Sequence, residues 1–171
     1  MNVVLVGYRG SGKTTIGRLL AERLWVNFVD LDEMIVARAG KSIKAIFDEL
    51  GENGFRDLET NAIAEAVKET DTVLALGGGA LGREENRALL RSEHFRIIYL
   101  RCDAEELLRR ITADPQTALA RPSLTRLGGS LEEVATLLAQ REPIYREMMH
   151  GELDVTHLTP REAVVHIARM V

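Results

Sequence analysis

Short apolar runs alternate with longer amphipathic stretches along this chain. The run NVVLVG (2–7) is apolar without interruption, which predicts a strand buried on both faces. The segment KTTIGRLLAERL follows with Ile16, Leu19, Leu20 and Leu24 on one helical face. VNFVDLD predicts a second strand ending in acids, and EMIVARAG, SIKAIFDELG and ENGFRDLETNAIAEAVKE read as helical segments. TVLALGGG predicts a third strand, EENRALLRS a short helix, FRIIYLRC a fourth strand and AEELLRRIT its helix. ADPQTALARPSLTRLGG (113–129) has no clean period; with Pro115, Pro122 and a closing Gly128-Gly129 it is either a long ordered loop or a mobile lid. SLEEVATLLAQREPIYREMM predicts a long helix opened by a capping box, Ser130 with Glu133, and kinked or interrupted at Pro143. ELDVTH predicts a last strand. TPREAVVHIARMV predicts a last helix, with Thr159 as N-cap, Pro160 in its first turn and Glu162 completing a capping box. Strands alternating with helices predict an α/β fold: a parallel sheet of about five strands with helices on both faces. Ligands in such folds bind at the carboxyl ends of the strands.

Composition narrows this picture only a little. At 171 residues, with no repeat, low-complexity tract or linker, residues 1–171 are expected to form one domain. The net charge of −4 argues against a nucleic-acid binder with a broad basic surface. No apolar run is long enough to span a membrane, MNVVLVG lacks the basic flank of a signal peptide, and Cys102 is the sole cysteine. A reducing, cytoplasmic setting is therefore expected. Cys102 follows the apolar IIYL, and a packing role next to a strand end is its expected role.

The chemistry begins after the first strand. GYRGSGKT, Gly7 to Thr14, fits G-x-x-x-x-G-K-[ST], the phosphate-binding loop. Gly10, Ser11 and Gly12 let consecutive N–H groups turn around a phosphate, and the helix starting near Lys13 aims its positive end at the same place. Lys13 would reach the β- and γ-phosphates, and Thr14 would offer its hydroxyl to Mg²⁺. Nucleoside triphosphate binding follows, but the loop alone does not choose between kinase, GTPase, motor and regulator.

After the second strand, Asp30 and Asp32 stand two apart. If the strand continues through both, they project to one face, toward the site. A kinase needs one acid near Mg²⁺ and one near the acceptor hydroxyl. A plain helix N-terminus would favour the same acids. Gly77, Gly78 and Gly79 then carry an entropic cost that an ordinary turn does not require. Either a ligand approaches this backbone closely or the strand packs tightly there.

In sum, GYRGSGKTTIGRLLA, DLDEMI, GKSIKAIFDELGENGFRDLE, VLALGGGA, ARPSL and REPIYRE run in order through nearly the whole chain, and together they resemble the shikimate kinases. The resemblance implies a phosphate-loop fold of the nucleoside-monophosphate-kinase type, a three-layer sandwich with sheet order 2-3-1-4-5 and a mobile lid. It also implies transfer of phosphate from ATP to the 3-hydroxyl of shikimate with Mg²⁺, on the route to chorismate and the aromatic amino acids. Small-molecule partners and a monomer are expected.

The resemblance assigns roles to residues. Arg56 and Arg141 would grip the shikimate carboxylate, a task suited to the planar fork of arginine. Glu59, three residues on, would orient Arg56 from behind. Asp32 would bond the substrate hydroxyls, positioning first and accepting a proton second. Asp30 would hold Mg²⁺ with Thr14, through water, because the third strand ends in glycine where many phosphate-loop proteins carry an acid. Gly77 would turn the chain away, while N–H groups near Gly78 and Gly79 face the substrate. Arg121, in a lid about 112–127, would close on the transferred phosphate. Arg110 and Pro160 would sandwich adenine, and Thr15 would join the phosphate contacts. The helical region about 31–61 would bind substrate, with Phe47 and Phe55 as walls. TADPQTALA before Arg121 is a few residues longer than in compact members. The rivals are a related small-molecule kinase, such as a gluconate kinase, and a nucleotide-dependent regulatory module without the activity.

Overall fold

A computed structural model describes residues 2–92, 94–114 and 129–171. Five parallel strands form one sheet: β1 (Asn2–Val6), β2 (Asn27–Asp30), β3 (Thr72–Ala75), β4 (Phe95–Arg101) and β5 (Gly151–Asp154). Their order is β2-β3-β1-β4-β5, the order expected. The helices are α1 (Lys13–Leu24), α2 (Leu31–Ala39), α3 (Ile43–Ala66), α4 (Glu84–Leu90), α5 (Ala104–Ala113), α6 (Leu131–Met148) and α7 (Pro160–Ile167). A 3-10 turn (Ala80–Gly82) follows the glycine triplet.

Alternation along the strands separates the core into two layers. Val4, Val6, Leu74, Ile97 and Tyr99 face a cluster with α2, α3, α4 and the C-terminal half of α6. Val3, Leu5, Val73, Ile98 and Leu100 face the opposite cluster, with α1, α5, α7 and Val134. The register agrees with this sorting: Val3 pairs with Val73, and Val4 with Leu74 and Ile97. Each fully buried aliphatic side chain contributes about 1.5–3 kcal/mol against exposure. Central strands with core on both faces explain the uninterrupted apolar runs.

Some local expectations change. The second strand stops at Asp30, which becomes the N-cap of α2: its Oδ1 accepts from the N–H groups of Asp32 at 3.0 Å and Glu33 at 3.2 Å. Asp30 and Asp32 therefore do not share a strand face; one caps a helix and the other lies in its first turn. As expected, α3 is two helical segments that meet at Gly51, whose φ of 70° and ψ of −178° are not helical and kink the chain there. Pro143 does not interrupt α6, which runs through it. The predicted box at the start of α6 is only half formed. Ser130 Oγ accepts from Glu133 N at 3.3 Å, but the Glu133 carboxylate takes the N–H of Gly129 rather than that of Ser130. The box at Thr159 and Glu162 is complete.

Cys102 is buried at the end of β4, and burial is the main cause that raises its thiol pKa, in keeping with a packing role. Among the described residues no helix is long and apolar enough to cross a membrane. Arg121 and the stretch 115–128 lie outside the described residues, so the lid and its arginine remain sequence expectations.

Candidate active site

The carboxyl ends of β1, β2 and β3 surround one region, and the candidate residues gather there. Beyond β1, Gly7, Gly10 and Gly12 all have positive φ, curling the backbone so that α1 begins beneath the loop. The first turn of α1 carries no acidic residue, leaving its positive end to an anion. Lys13 Nζ donates to the carbonyl oxygens of Gly7 at 2.8 Å and Tyr8 at 3.0 Å, so the ammonium lies over the loop's own mouth. Ser11 is fully buried under the loop. Gly10, Gly12, Lys13, Thr14 and Thr15 line an open cleft together with Asp30 and Asp32.

Thr14 and Asp30 meet directly: the Thr14 hydroxyl donates to Asp30 Oδ2 at 2.5 Å. The N-cap bonds to Asp30 Oδ1 fix that carboxylate, so both oxygens have defined directions. Paired hard oxygen donors beside a phosphate loop fit Mg²⁺. Among the described residues no three His, Cys, Asp or Glu side chains gather as a metal-binding group. A cation here would take most of its ligands from phosphate and water.

The second half of the site is a concave cleft adjoining the first. Its apolar walls are Ile43, Phe47, Phe55, Val134 and Leu137, with the Phe47 and Phe55 rings 4.8 Å apart. Its polar residues come from distant segments. Arg56 on α3 donates through Nη1 to Glu59 Oε2 at 2.8 Å, and its guanidinium lies 5.3 Å from the Phe55 ring centre. Arg141 on α6 lies 5.4 Å from the ring centre of Tyr8. Asp32 lines both clefts.

Glu59 is fully buried, and one of its carboxylate oxygens has no hydrogen-bond partner among the described residues. Burial raises its pKa; the Arg56 charge and hydrogen bond oppose the rise, the Asp32 charge adds to it and the Arg141 charge lowers it. A buried carboxylate with an arginine on one oxygen is a fixed anchor for that arginine.

The three glycines give room to these groups. A Cβ on Gly77 would stand 3.0 Å from Glu59 Oε1 and 3.1 Å from Asp32 Oδ1. One on Gly78 would stand 3.1 Å from Arg141 Nη1, and one on Gly79 would come within 2.9 Å of the central carbon of the Arg56 guanidinium. None of the three has positive φ, so steric room rather than left-handed backbone requires glycine. Each residue of the triplet thus clears space for a different charged side chain.

The adenine-side residues have other engagements. Arg110 donates to the carbonyl oxygens of Val155 at 2.9 Å and Thr156 at 3.3 Å, and to Glu106 at 2.7 Å. It braces α5 against the loop after β5, and Pro160 opens α7 just beyond that loop. Pattern reading gave no place in the site to Tyr8, Arg9 or Glu133, which also line this cleft. Tyr8 and Arg9 occupy the unspecified positions of the phosphate-loop motif, so the motif is silent on them. Glu133 carried a signal, but it pointed to a helix cap.

The model of the family described as shikimate kinase matches residues 9–171. The chain belongs to the shikimate kinase family. Among curated shikimate kinases, that of Rhodopirellula baltica is 38% identical over 168 residues, covering 98% of this chain and 89% of its own. That of Thermobifida fusca is 42% identical over 166 residues, covering 97% and 92%. Among solved structures, the shikimate kinase of Acinetobacter baumannii in complex with shikimate superposes with a TM-score of 0.91 at 36% identity, covering 99% of this chain and 91% of that one. Likeness to shikimate kinases therefore spans both clefts, the phosphate loop and the arginine corner.

Proposed function

We propose that this protein transfers the γ-phosphoryl group of ATP to the 3-hydroxyl of shikimate, giving shikimate 3-phosphate and ADP on the route to chorismate and the aromatic amino acids. The observation that carries this reading is the convergence of Arg56 and Arg141 on the glycine triplet, with Asp32 beside Gly77 and lining both clefts. A carboxylated polyol suits that arrangement: the arginines take the carboxylate and Asp32 takes the hydroxyls. Phe47 and Phe55 cover the apolar ring face. Family membership and the shikimate complex of the Acinetobacter relative support the same substrate.

Lys13 and the loop N–H groups hold the triphosphate and stabilise charge as it spreads over the γ-phosphoryl oxygens. The substrate hydroxyl oxygen forms the new bond to phosphorus while the bond to the ADP oxygen breaks. The released proton passes to Asp32 or leaves on the phosphate. The transition state is loose, so Asp32 contributes chiefly by positioning. Thr14 and Asp30 would hold Mg²⁺, Asp30 through water. When bound, that cation neutralises phosphate charge. Arg110 and Pro160 flank adenine, and Arg121 closes on the phosphate. All of these groups come from one chain, which supports a monomer that needs only small-molecule partners, and the proposed setting is cytoplasmic.

A coupled assay of ADP release tests the reading. With ATP and Mg²⁺ the protein is expected to turn over shikimate and not gluconate. A folded, ATP-binding sample without shikimate-dependent ADP release contradicts it.

A further inference from the structure

The motif REPIYRE supplies Arg141 to the acceptor cleft, while its Tyr145 has no part in the mechanism above. Tyr145 follows Arg141 by four residues, so both side chains leave α6 on the same face. Its ring is buried and lies against Tyr99, with centroids 5.0 Å apart. The Tyr145 hydroxyl donates to the carbonyl oxygen of Gly78 at 2.5 Å. Gly78 is also the glycine whose missing Cβ makes room for Arg141, so one residue of the triplet meets two residues of α6. Burial is the main cause that raises the Tyr145 pKa, and Arg141 opposes it through its charge and a side-chain hydrogen bond. The hydroxyl is therefore a neutral donor to Gly78, the same residue against which Arg141 Nη1 lies. For apolar packing alone phenylalanine would serve, and a buried hydroxyl is costly unless bonded.

We infer that Tyr145 is a positioning residue for the acceptor substrate, its hydroxyl setting Arg141 on α6 against the glycine triplet after β3. The inference rests on the proposed function. A planar guanidinium must lie in the plane of the carboxylate to donate two parallel bonds, and small misplacements are costly in such sites. Without the hydroxyl, the Gly78 carbonyl loses its donor and the backbone against which Arg141 lies is less firmly held. Tyr99 provides the contrast, because its hydroxyl donates to Glu142 at 2.9 Å and not to the triplet.

The test is steady-state kinetics of Tyr145→Phe in the full-length protein. The expected result is a KM for shikimate raised about tenfold, the effect of losing one hydrogen bond in the site. The kcat should stay within about twofold and the KM for ATP should be unchanged. Tyr99→Phe should leave the shikimate KM within about twofold. In an Arg141→Ala background, Tyr145→Phe should raise that KM by less than about twofold, because the two residues act together. A wild-type shikimate KM in Tyr145→Phe overturns the inference, and so does a full tenfold effect in the Arg141→Ala background. If Tyr145→Phe does not fold, wild-type protein carrying ζ-¹³C-tyrosine gives a second measurement. Shikimate without nucleotide should shift the Tyr145 resonance, and an unmoved resonance overturns the inference. A wild-type protein inactive on shikimate overturns the functional reading and this inference with it, whereas a normal Tyr145→Phe in an active enzyme overturns this inference alone.

Discussion

The two halves of the site are built in opposite ways. The nucleotide half is local: eight consecutive residues, Gly7 to Thr14, make the loop, and its lysine bonds to carbonyls of the same loop. Backbone would be the ligand there, and glycine supplies positive φ. The acceptor half is assembled from α2, α3, the β3 exit and α6, with side chains as the ligands in the proposed function. The triplet glycines supply empty space there and none of the three adopts positive φ. The difference teaches what each half tolerates. A loop made of N–H groups can bind any phosphate, whereas a corner of placed arginines recognises one shape of anion.

Substitutions can break this contrast. Lys13→Met should have the largest effect, lowering kcat by about 10²–10³-fold with shikimate affinity retained, since it removes a charge from the phosphates and none from the acceptor cleft. A rate close to wild type would remove Lys13 from the mechanism. Arg56→Ala or Arg141→Ala should act on the other half, weakening shikimate binding by about 2–3 kcal/mol in calorimetry while ATP binding holds. Unchanged shikimate affinity would dissolve the carboxylate clamp.

Gly79→Ala should be smaller and more telling. Its methyl group would push the Arg56 guanidinium off its bond to Glu59, so shikimate KM should rise about tenfold, with a loss of stability as the buried Glu59 loses its partner. Lost stability with normal KM would instead mark Gly79 as a packing glycine.

The smallest effect concerns pH. Because burial raises the Glu59 pKa above its ordinary 4.5, the folded state holds this proton where the unfolded state has released it. Stability should therefore fall as pH rises from 4.5 through the folded pKa. Glu59→Gln should abolish that component in urea titrations across pH, and an unaltered pH dependence would show Glu59 to be ordinary.

The same contrast explains what could be read from the chain. The sheet order and both faces of the core follow from β-branched runs alternating with amphipathic stretches, since central strands buried on both sides need continuous apolar residues. The phosphate loop is contiguous and was legible from spacing alone. The Arg56–Glu59 pair, Gly77–Gly79 and Arg141 are separated by long intervals, and only the resemblance of several motifs at once joined them. Asp30 misled because FVDLDE suits a strand end and a helix N-cap equally; the decision lies in two N–H groups that a pattern does not show. Glu133 misled because a capping box and a carboxylate in a cleft have the same spacing. Tyr145 was findable, since a residue four beyond Arg141 shares its helical face.

The most direct measurement compares initial rates of ADP release with shikimate and with its methyl ester, at fixed ATP and Mg²⁺. Esterification keeps the ring and hydroxyls but removes the charge that Arg56 and Arg141 would hold. The account predicts turnover with shikimate and a kcat/KM at least about 30-fold lower for the ester, the loss of about 2 kcal/mol of charged recognition. Equal kcat/KM for the two, or no ADP release with either from protein that binds ATP, would contradict it.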